Sequence, residues 1–457
     1  MNDFSQLALS PSLLSAVESL GYPGMTPVQA ESLPHILAGR DVMAEARTGS
    51  GKTAAFGLGL LQRIDPEEIR LQALVLCPTR ELADQVAKAI RRLAVNIPNI
   101  KLLTLCGGMP LGPQLASLEH DPHIVVGTPG RVQEHLKRGS LHGGGIKAFV
   151  LDEADRMLDM GFEEAIDDIV KRIAKHHQTL LFSATYPDEI RAVSGRVQND
   201  PVIVRIDEPH NETTIEQRVV EVEPPVKTAV LSRILAHEKP ESTLVFCNMR
   251  KDTDDLAAEL DRLGFSALAL HGDLEQRDRD EALVRFANRS CNVLVATDVA
   301  ARGLDIEGLP LVVSYDVAHD ADTHTHRIGR TGRAGATGLA ITLVGSRELN
   351  KLRSIEERAG GAIARYPAKP GDGKKVLNLA PNKTIVIDAG RKDKLRPGDI
   401  LGALTGDAGL KAADIGKIDV YATRAYVAIK RDLAGKALAR LREGKIKGRS
   451  FRVRPLG

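Results

Sequence analysis

Short apolar runs of strand length, separated by stretches with helical spacing, recur through most of this chain and restrict its fold more than any other feature. "ALVLCPT" (73–79), "IVVGTP" (124–129), "AFVLDEA" (148–154) and "TLLFSAT" (179–185) form one series. "TLVFCN" (243–248), "SALALHG" (266–272), "NVLVATD" (292–298), "LVVSYD" (311–316) and "LAITLV" (339–344) form a second. Strands alternating with helices such as "RELADQVAKAIRRLA" build parallel α/β sheets, so two sheets in tandem are expected, over residues 1–205 and 215–365. Many runs end in polar or glycine residues. The carboxyl ends of strands are where open α/β sheets bind ligands, so two such edges imply a cleft between them.

A length of 457 residues leaves room for a third unit. "PAKPGDGKKVLNLA" (367–380) mixes prolines, glycines and lysines without a period and reads as a linker. Beyond it, "KTIVIDAG", "RPGDILGALTG", "GKIDVY", "RAYVAIK", "DLAGKALARLREG" and "SFRVRPL" predict a small β-α-β-β-α-β unit over 381–457. Period two assigns Ile385, Ile387, Ile418, Val420, Val427, Ile429, Phe451 and Val453 to its core face. Tyr421, Tyr426, Lys430, Arg452 and Arg454 fall on the other face.

Charge separates this last unit from the rest. Residues 381–457 hold 18 Lys+Arg against 8 Asp+Glu, a balance of +10, and residues 1–380 hold 44 against 52, or −8. A basic module behind a mildly acidic body suggests a nucleic-acid-binding appendage, although a solvated basic face would count the same. "MNDFSQLALS" lacks the layout of a secretory signal, and no apolar run approaches the roughly 20 residues of a membrane span. Cys77, Cys106, Cys247 and Cys291 are far apart and read as buried thiols of a reducing cytoplasm.

"ARTGSGKT" (46–53) carries the chemistry of a phosphate loop. Glycine-rich backbone over Thr48, Gly49, Ser50 and Gly51 can close amides around phosphate oxygens. Lys52 would reach the β/γ-phosphates, and Thr53 would ligate Mg²⁺. About a hundred residues on, "VLDEAD" (150–155) ends an apolar strand. Asp152 there would hold the metal, and Glu153 would position or deprotonate the attacking water.

With these motifs, residues 1–365 resemble the DEAD-box RNA helicases. The resemblance implies two RecA-like domains, ATP with Mg²⁺ as cofactors, and RNA as partner. "GYPGMTPVQ" (21–29) resembles the family's Q motif, in which Gln29 reads the adenine edge and an upstream aromatic, here Phe4, stacks on its ring. "PTREL" (Pro78, Thr79, Arg80), the Gly107–Gly108 pair and "TPGR" (Thr128, Pro129, Gly130, Arg131) match RNA-backbone contacts. Ser183 and Thr185 of "SAT" match the segment that couples hydrolysis to RNA binding. In the second domain Gln276, Arg279, Thr297 and Asp298 match RNA contacts, and Gly303 and Asp305 match ATP contacts. "HRIGRTGR" (326–333) would lend Arg330 and Arg333 as arginine fingers to a γ-phosphate held by the other domain. His326 and Arg327 would tie that segment to the first domain and the coupling motif.

"RPGDILGALTG" and "IGKIDVY" resemble the C-terminal RNA-binding domain of DbpA-type helicases, an α+β, RRM-like fold. That resemblance implies a hairpin of large-subunit ribosomal RNA as target and pre-ribosomal particles as setting; a cytoplasmic monomer is expected, though nothing in the residues reads the oligomeric state. Two RNA surfaces remain open: sheet-face stacking on Tyr426, or a basic stretch with Lys445, Lys447, Arg449 and Arg452. A cold-shock helicase with broader targets and an ATP-gated RNA clamp are the alternative functions. A DNA helicase is a third, which the Q motif and "DEAD" weigh against.

Overall fold

The computed structural model describes residues 3–46, 49–206, 215–301, 306, 308–332, 337–359, 361–367, 378–406 and 409–457. Residues up to 206 form one compact unit, and those from 215 onward form another.

The first unit is a seven-stranded parallel sheet: β1 (Val42–Glu45), β2 (Ala73–Leu76), β3 (Leu102–Leu105), β4 (Ile124–Gly127), β5 (Ala148–Asp152), β6 (Gln178–Ser183) and β7 (Val202–Arg205). Its spatial order is β3-β4-β2-β5-β6-β1-β7. Successive residues of one strand enter opposite cores. Ala73 and Val75 pack with Phe56 and Phe182, whereas Leu74 and Leu76 pack with Phe149 and Met157. Two-sided burial explains why these strands are apolar without alternation. The order also sorts the functional edge. Strands β5, β6 and β1 lie side by side, and β3, β4 and β2 lie beyond them.

The second unit repeats the architecture with β8 (Ile215–Glu221), β9 (Thr243–Cys247), β10 (Ala267–Leu270), β11 (Val293–Thr297), β12 (Leu311–Ser314), β13 (Gly338–Val344) and β14 (Ala364–Pro367). Their order is β10-β11-β9-β12-β13-β8-β14. The same unit includes a four-stranded antiparallel sheet of β15 (Asn382–Ile387), β16 (Ile415–Val420), β17 (Ala425–Lys430) and β18 (Val453–Leu456), ordered β16-β17-β15-β18. Two helices, Pro397–Thr405 and Ala434–Glu443, cover one face of it. The expected core face is correct: Ile385, Ile387, Val427, Ile429 and Val453 are buried there, with Ile418, Val420 and Phe451 at its margin.

The opposite face is partly covered: Tyr421, Lys430 and Arg452 are exposed, but Tyr426 is not. Tyr426, Val386 and Leu456 pack on Val284 of the helix Gln276–Ala287, and Tyr426 is only 6% exposed. A polar seam runs alongside. Asn288 Nδ2 donates to Thr384 Oγ1 at 2.8 Å, Asn382 Nδ2 to Asn288 O at 2.9 Å, and Thr384 Oγ1 to Ser290 Oγ at 2.8 Å. Residues 368–377 of the expected linker lie outside the described residues. Its ends are structured: Pro367 closes β14, Asn378 bridges to Phe265, and the Ala380 amide donates to Ser266 Oγ at 3.0 Å. No helix among the described residues is long and apolar enough to cross a membrane.

Candidate active site

The phosphate loop follows β1 and feeds the helix Lys52–Arg63. Gly49 and Gly51 hold left-handed φ angles of 83° and 93°, which side chains resist. At Gly51 a Cβ would also collide with the Gln29 amide. Gln29 uses both ends of that amide: Oε1 accepts from Thr26 N at 3.0 Å, and Nε2 donates to Gly51 O at 3.0 Å. The Q-motif glutamine thus caps its own helix, Pro27–Leu37, and holds the loop. Phe4, expected to stack on adenine, is 4% exposed at the hydrophobic core with its ring 6.3 Å from Tyr22. Thr48 lies outside the described residues; Ser50 and Thr53 are half-buried.

Two strands away, Asp152 ends β5 with 2% exposure. Its Oδ1 and the Lys52 Nζ are both sealed from solvent without a hydrogen-bond partner. Leaving an ammonium and a carboxylate buried and unmatched is costly. Burial pushes Asp152 up to about 7, with the Lys52 charge opposing the shift and Glu153 adding to it. A nucleotide phosphate would satisfy Lys52, and a divalent cation would satisfy Asp152 with Thr53 close behind the loop. The residues fit both groups.

Glu153 follows at φ 54°, ψ 53°, an uncommon left-handed setting for a non-glycine residue. It precedes the helix Ala154–Asp159, and Arg156 Nη1 donates to its Oε2 at 2.7 Å with both side chains buried. Asp155 faces the other way. Its Oδ2 accepts from Ala184 N, Thr185 N and Thr185 Oγ1, each at 3.1 Å. Ser183 ends β6 beside β1, fully buried, with its Oγ unpartnered. Sequence reasoning missed Asp155 and Arg156 as working residues. The signal was available in the helical spacing of Glu153 and Arg156.

The expected RNA contacts of this unit gather on the β3-β4-β2 half. Thr79 caps the helix Arg80–Leu93 through Leu82 N at 3.3 Å. Thr128, before the helix Pro129–Arg138, accepts from Gly107 N at 3.2 Å. Two helix N-termini therefore sit on adjacent strand ends, where unpaired amides favour phosphate oxygens. Arg80 packs against Gly108 so closely that a Cβ there would collide with its guanidinium. Pro78 is buried, whereas Gly130 is exposed. Arg131 is engaged within the site, donating to Met109 O at 3.0 Å and Gln114 Oε1 at 2.7 Å.

In the second unit Thr297 ends β11 and Gln276 opens the helix Gln276–Ala287; Arg279 Nη2 donates to Ala300 O at 2.9 Å. Arg327 is held inside the second unit. It is 1% exposed, and its described bonds stay within the second unit: bidentate to Asp298 at 2.7 Å, to Asp316 O at 2.6 Å and to Asn248 Oδ1 at 2.8 Å. Its guanidinium also stacks 5.1 Å over Phe246. It therefore joins the ends of β9, β11 and β12, and it holds the Asp298 carboxylate inward. Arg330 is buried and His326 half-buried. Arg333, Gly303 and Asp305 lie outside the described residues. On the last domain Lys445, Lys447, Arg449 and Arg452 are all exposed, and Tyr426 is not. Tyr421 of the same face, its ring 5.6 Å from that of Tyr426, is 47% exposed.

Three family descriptions match the chain: DEAD/DEAH box helicase over residues 26–193, helicase conserved C-terminal domain over 226–335, and DbpA RNA binding domain over 384–455. The ATP-dependent RNA helicase DbpA of Escherichia coli (strain K12) is 53% identical over 457 residues, covering 100% of both chains. The DEAD-box ATP-dependent RNA helicase CshA of Geobacillus kaustophilus is 42% identical over 357 residues, 78% of this chain and 76% of that protein. Among solved structures, Saccharomyces cerevisiae Dbp5 bound to RNA and ADP BeF3 superposes with a TM-score of 0.74 at 31% identity, over 81% of this chain and 96% of that one.

Proposed function

The chain belongs to the DEAD-box family of ATP-dependent RNA helicases, DbpA type, and on that premise we propose that it remodels a hairpin-bearing segment of large-subunit ribosomal RNA during ribosome assembly. The observation that carries the catalytic half is the buried, unmatched pair of Lys52 Nζ and Asp152 Oδ1. On this reading the loop Thr48–Gly51 and the helix behind it hold the phosphates, and Lys52 offsets their charge. Thr53 and Asp152 would hold Mg²⁺, which would supply charge neutralisation for the phosphates. Glu153 orients the attacking water and takes its proton. Arg330 and Arg333 supply arginine-finger charge, and Gly303 and Asp305 complete the nucleotide contacts. Gln29 selects adenine while reporting to the loop through Gly51.

RNA is held through its backbone at Pro78–Arg80, Gly107–Gly108 and Thr128–Arg131, and at Gln276, Arg279 and Thr297. Such contacts carry no sequence information. Target choice therefore falls to the last domain, through Lys445, Lys447, Arg449 and Arg452. Its balance of +10 and the full-length match to the DbpA-named relative favour this over the cold-shock reading, since the CshA match spans only 78% of the chain.

The test is separation of a short duplex joined to the ribosomal hairpin, with a scrambled hairpin as control, under ATP and under a non-hydrolysable analogue. Hairpin-dependent separation that turns over only with ATP is expected. Equal response to both RNAs would remove the ribosomal target. Turnover-independent separation and release would leave only a clamp.

A further inference from the structure

The helix Gln276–Ala287 has two clients. Its first turns carry Gln276 and Arg279, to which the preceding reading gives RNA contact. Farther along, Arg277, Glu281 and Val284 recur at spacings of four and three, which places them on one face. Val284 on that face meets Tyr426, Val386 and Leu456. Beside this apolar contact sits one carboxylate among three guanidiniums. Arg277 Nε lies 3.2 Å from Glu281 Oε1, and Arg424 Nη1 and Arg454 Nη2 each lie 3.5 Å from the same oxygen. The Glu281 side chain is 13% exposed, and the arginines of the last domain are 32% and 26% exposed.

Without Glu281 these three cations would face one another at a partly buried surface without their shared carboxylate, Asp388 remaining 3.6 Å from Arg424 Nε. Like charges in such a setting repel, and their desolvation goes uncompensated. We propose that Glu281 is a positioning residue that clamps the C-terminal domain onto this helix, so that the docked domain braces the RNA grip of Gln276 and Arg279. This proposal rests on the RNA role given to that helix above. A domain that merely hangs on a tether raises the local concentration of its own target and leaves the affinity of the core for other RNA unchanged. A brace does not.

The experiment uses the full-length protein and a single-stranded RNA without the hairpin. ATPase rate against RNA concentration is measured for wild type, Glu281→Ala and Glu281→Asp, alongside amide exchange of β15 and the helix Gln276–Ala287. The expected result for Glu281→Ala is a fivefold or greater rise in the RNA concentration for half-maximal rate. The maximal rate should stay within twofold, exchange should quicken in both elements, and Glu281→Asp should recover part of each effect. The direction is diagnostic, because removing an acid beside a polyanion site should on charge alone tighten RNA binding. Faster exchange with an unchanged requirement for this RNA would overturn the brace, as would unchanged exchange. Arg279→Ala serves as the control: if it leaves the RNA requirement unchanged, the failure lies in the RNA role of the helix, and amide exchange alone decides the clamp.

Discussion

Arg156 Nη1 lies 2.7 Å from Glu153 Oε2, one helical turn along the chain, and both side chains are 4% exposed. A buried guanidinium that donates to a buried carboxylate fixes the carboxylate's direction. Glu153→Gln should therefore leave ATP binding in place and cut turnover by about 10²-fold or more, the usual worth of a positioned general base. Arg156→Ala strands the Glu153 charge and should destabilise the first unit by about 3–5 kcal/mol. Single-turnover ATP cleavage and urea unfolding check the two effects separately. Wild-type turnover in Glu153→Gln would remove Glu153 from the chemistry.

The three bonds to Asp155 Oδ2 join the "DEAD" helix to the strand end that carries "SAT". Asp155→Ala leaves the Ala184 and Thr185 amides without their acceptor, which should cost about 1–3 kcal/mol. Duplexes separated per ATP hydrolysed should fall more than hydrolysis itself at saturating RNA. Equal falls in both would show that this contact supports the fold and not the coupling.

Lys445, Lys447, Arg449 and Arg452 are exposed, whereas Tyr426 is covered. Replacing all four basic residues with alanine should lower the slope of log affinity against log salt by roughly 3, at about 0.7–0.9 per phosphate contact. The melting temperature should barely move. Tyr426→Ala should behave oppositely, destabilising the second unit by about 3–5 kcal/mol through loss of a large buried ring. Calorimetry and salt titration of hairpin binding on both variants decide the matter. A salt slope unchanged by the quadruple replacement would show that RNA docks elsewhere.

His324 is buried beside Gln217, with Nε2 3.1 Å from its side-chain oxygen, and burial pulls its pKa down from 6.5 to about 4. The folded state therefore holds a neutral ring that the unfolded chain protonates first. Stability from this group is complete above pH 6.5 and drains away as pH falls toward 4, by about 3 kcal/mol. Urea unfolding of the second unit between pH 7 and pH 4 should show this loss, and His324→Gln should flatten it. A variant with the wild-type slope would assign the acid sensitivity to other groups.

The two parallel sheets were legible because their strands are buried on both faces, which leaves apolar runs that no turn or loop imitates. The phosphate loop and "DEAD" were legible because their chemistry is local in sequence. Destinations were harder to read. Nothing in "HRIGRTGR" announces that Arg327 turns inward to Asp298. Tyr426 was assigned to an open face because its strand was expected to have one. Yet "TIVI" and "AYVAI" are apolar at both alternate positions, the same mark of two-sided cover that identified the larger sheets. That pattern could have announced the docking. It could not have named Val284 as the partner, since the pairing joins segments over a hundred residues apart.

The partly covered face of the small sheet bears on portability. An RNA-targeting domain joined by a mere string could be exchanged between enzymes as a cartridge, and its target would follow it. Here half of the socket belongs to the recipient: Val284 for the apolar contact, Asn288 and Ser290 for the polar seam, Glu281 for the arginines. A transplant onto a helicase lacking those four side chains would carry the recognition surface intact and leave it facing an arbitrary direction. Redirecting such an enzyme to a new RNA thus begins with one helix of its motor.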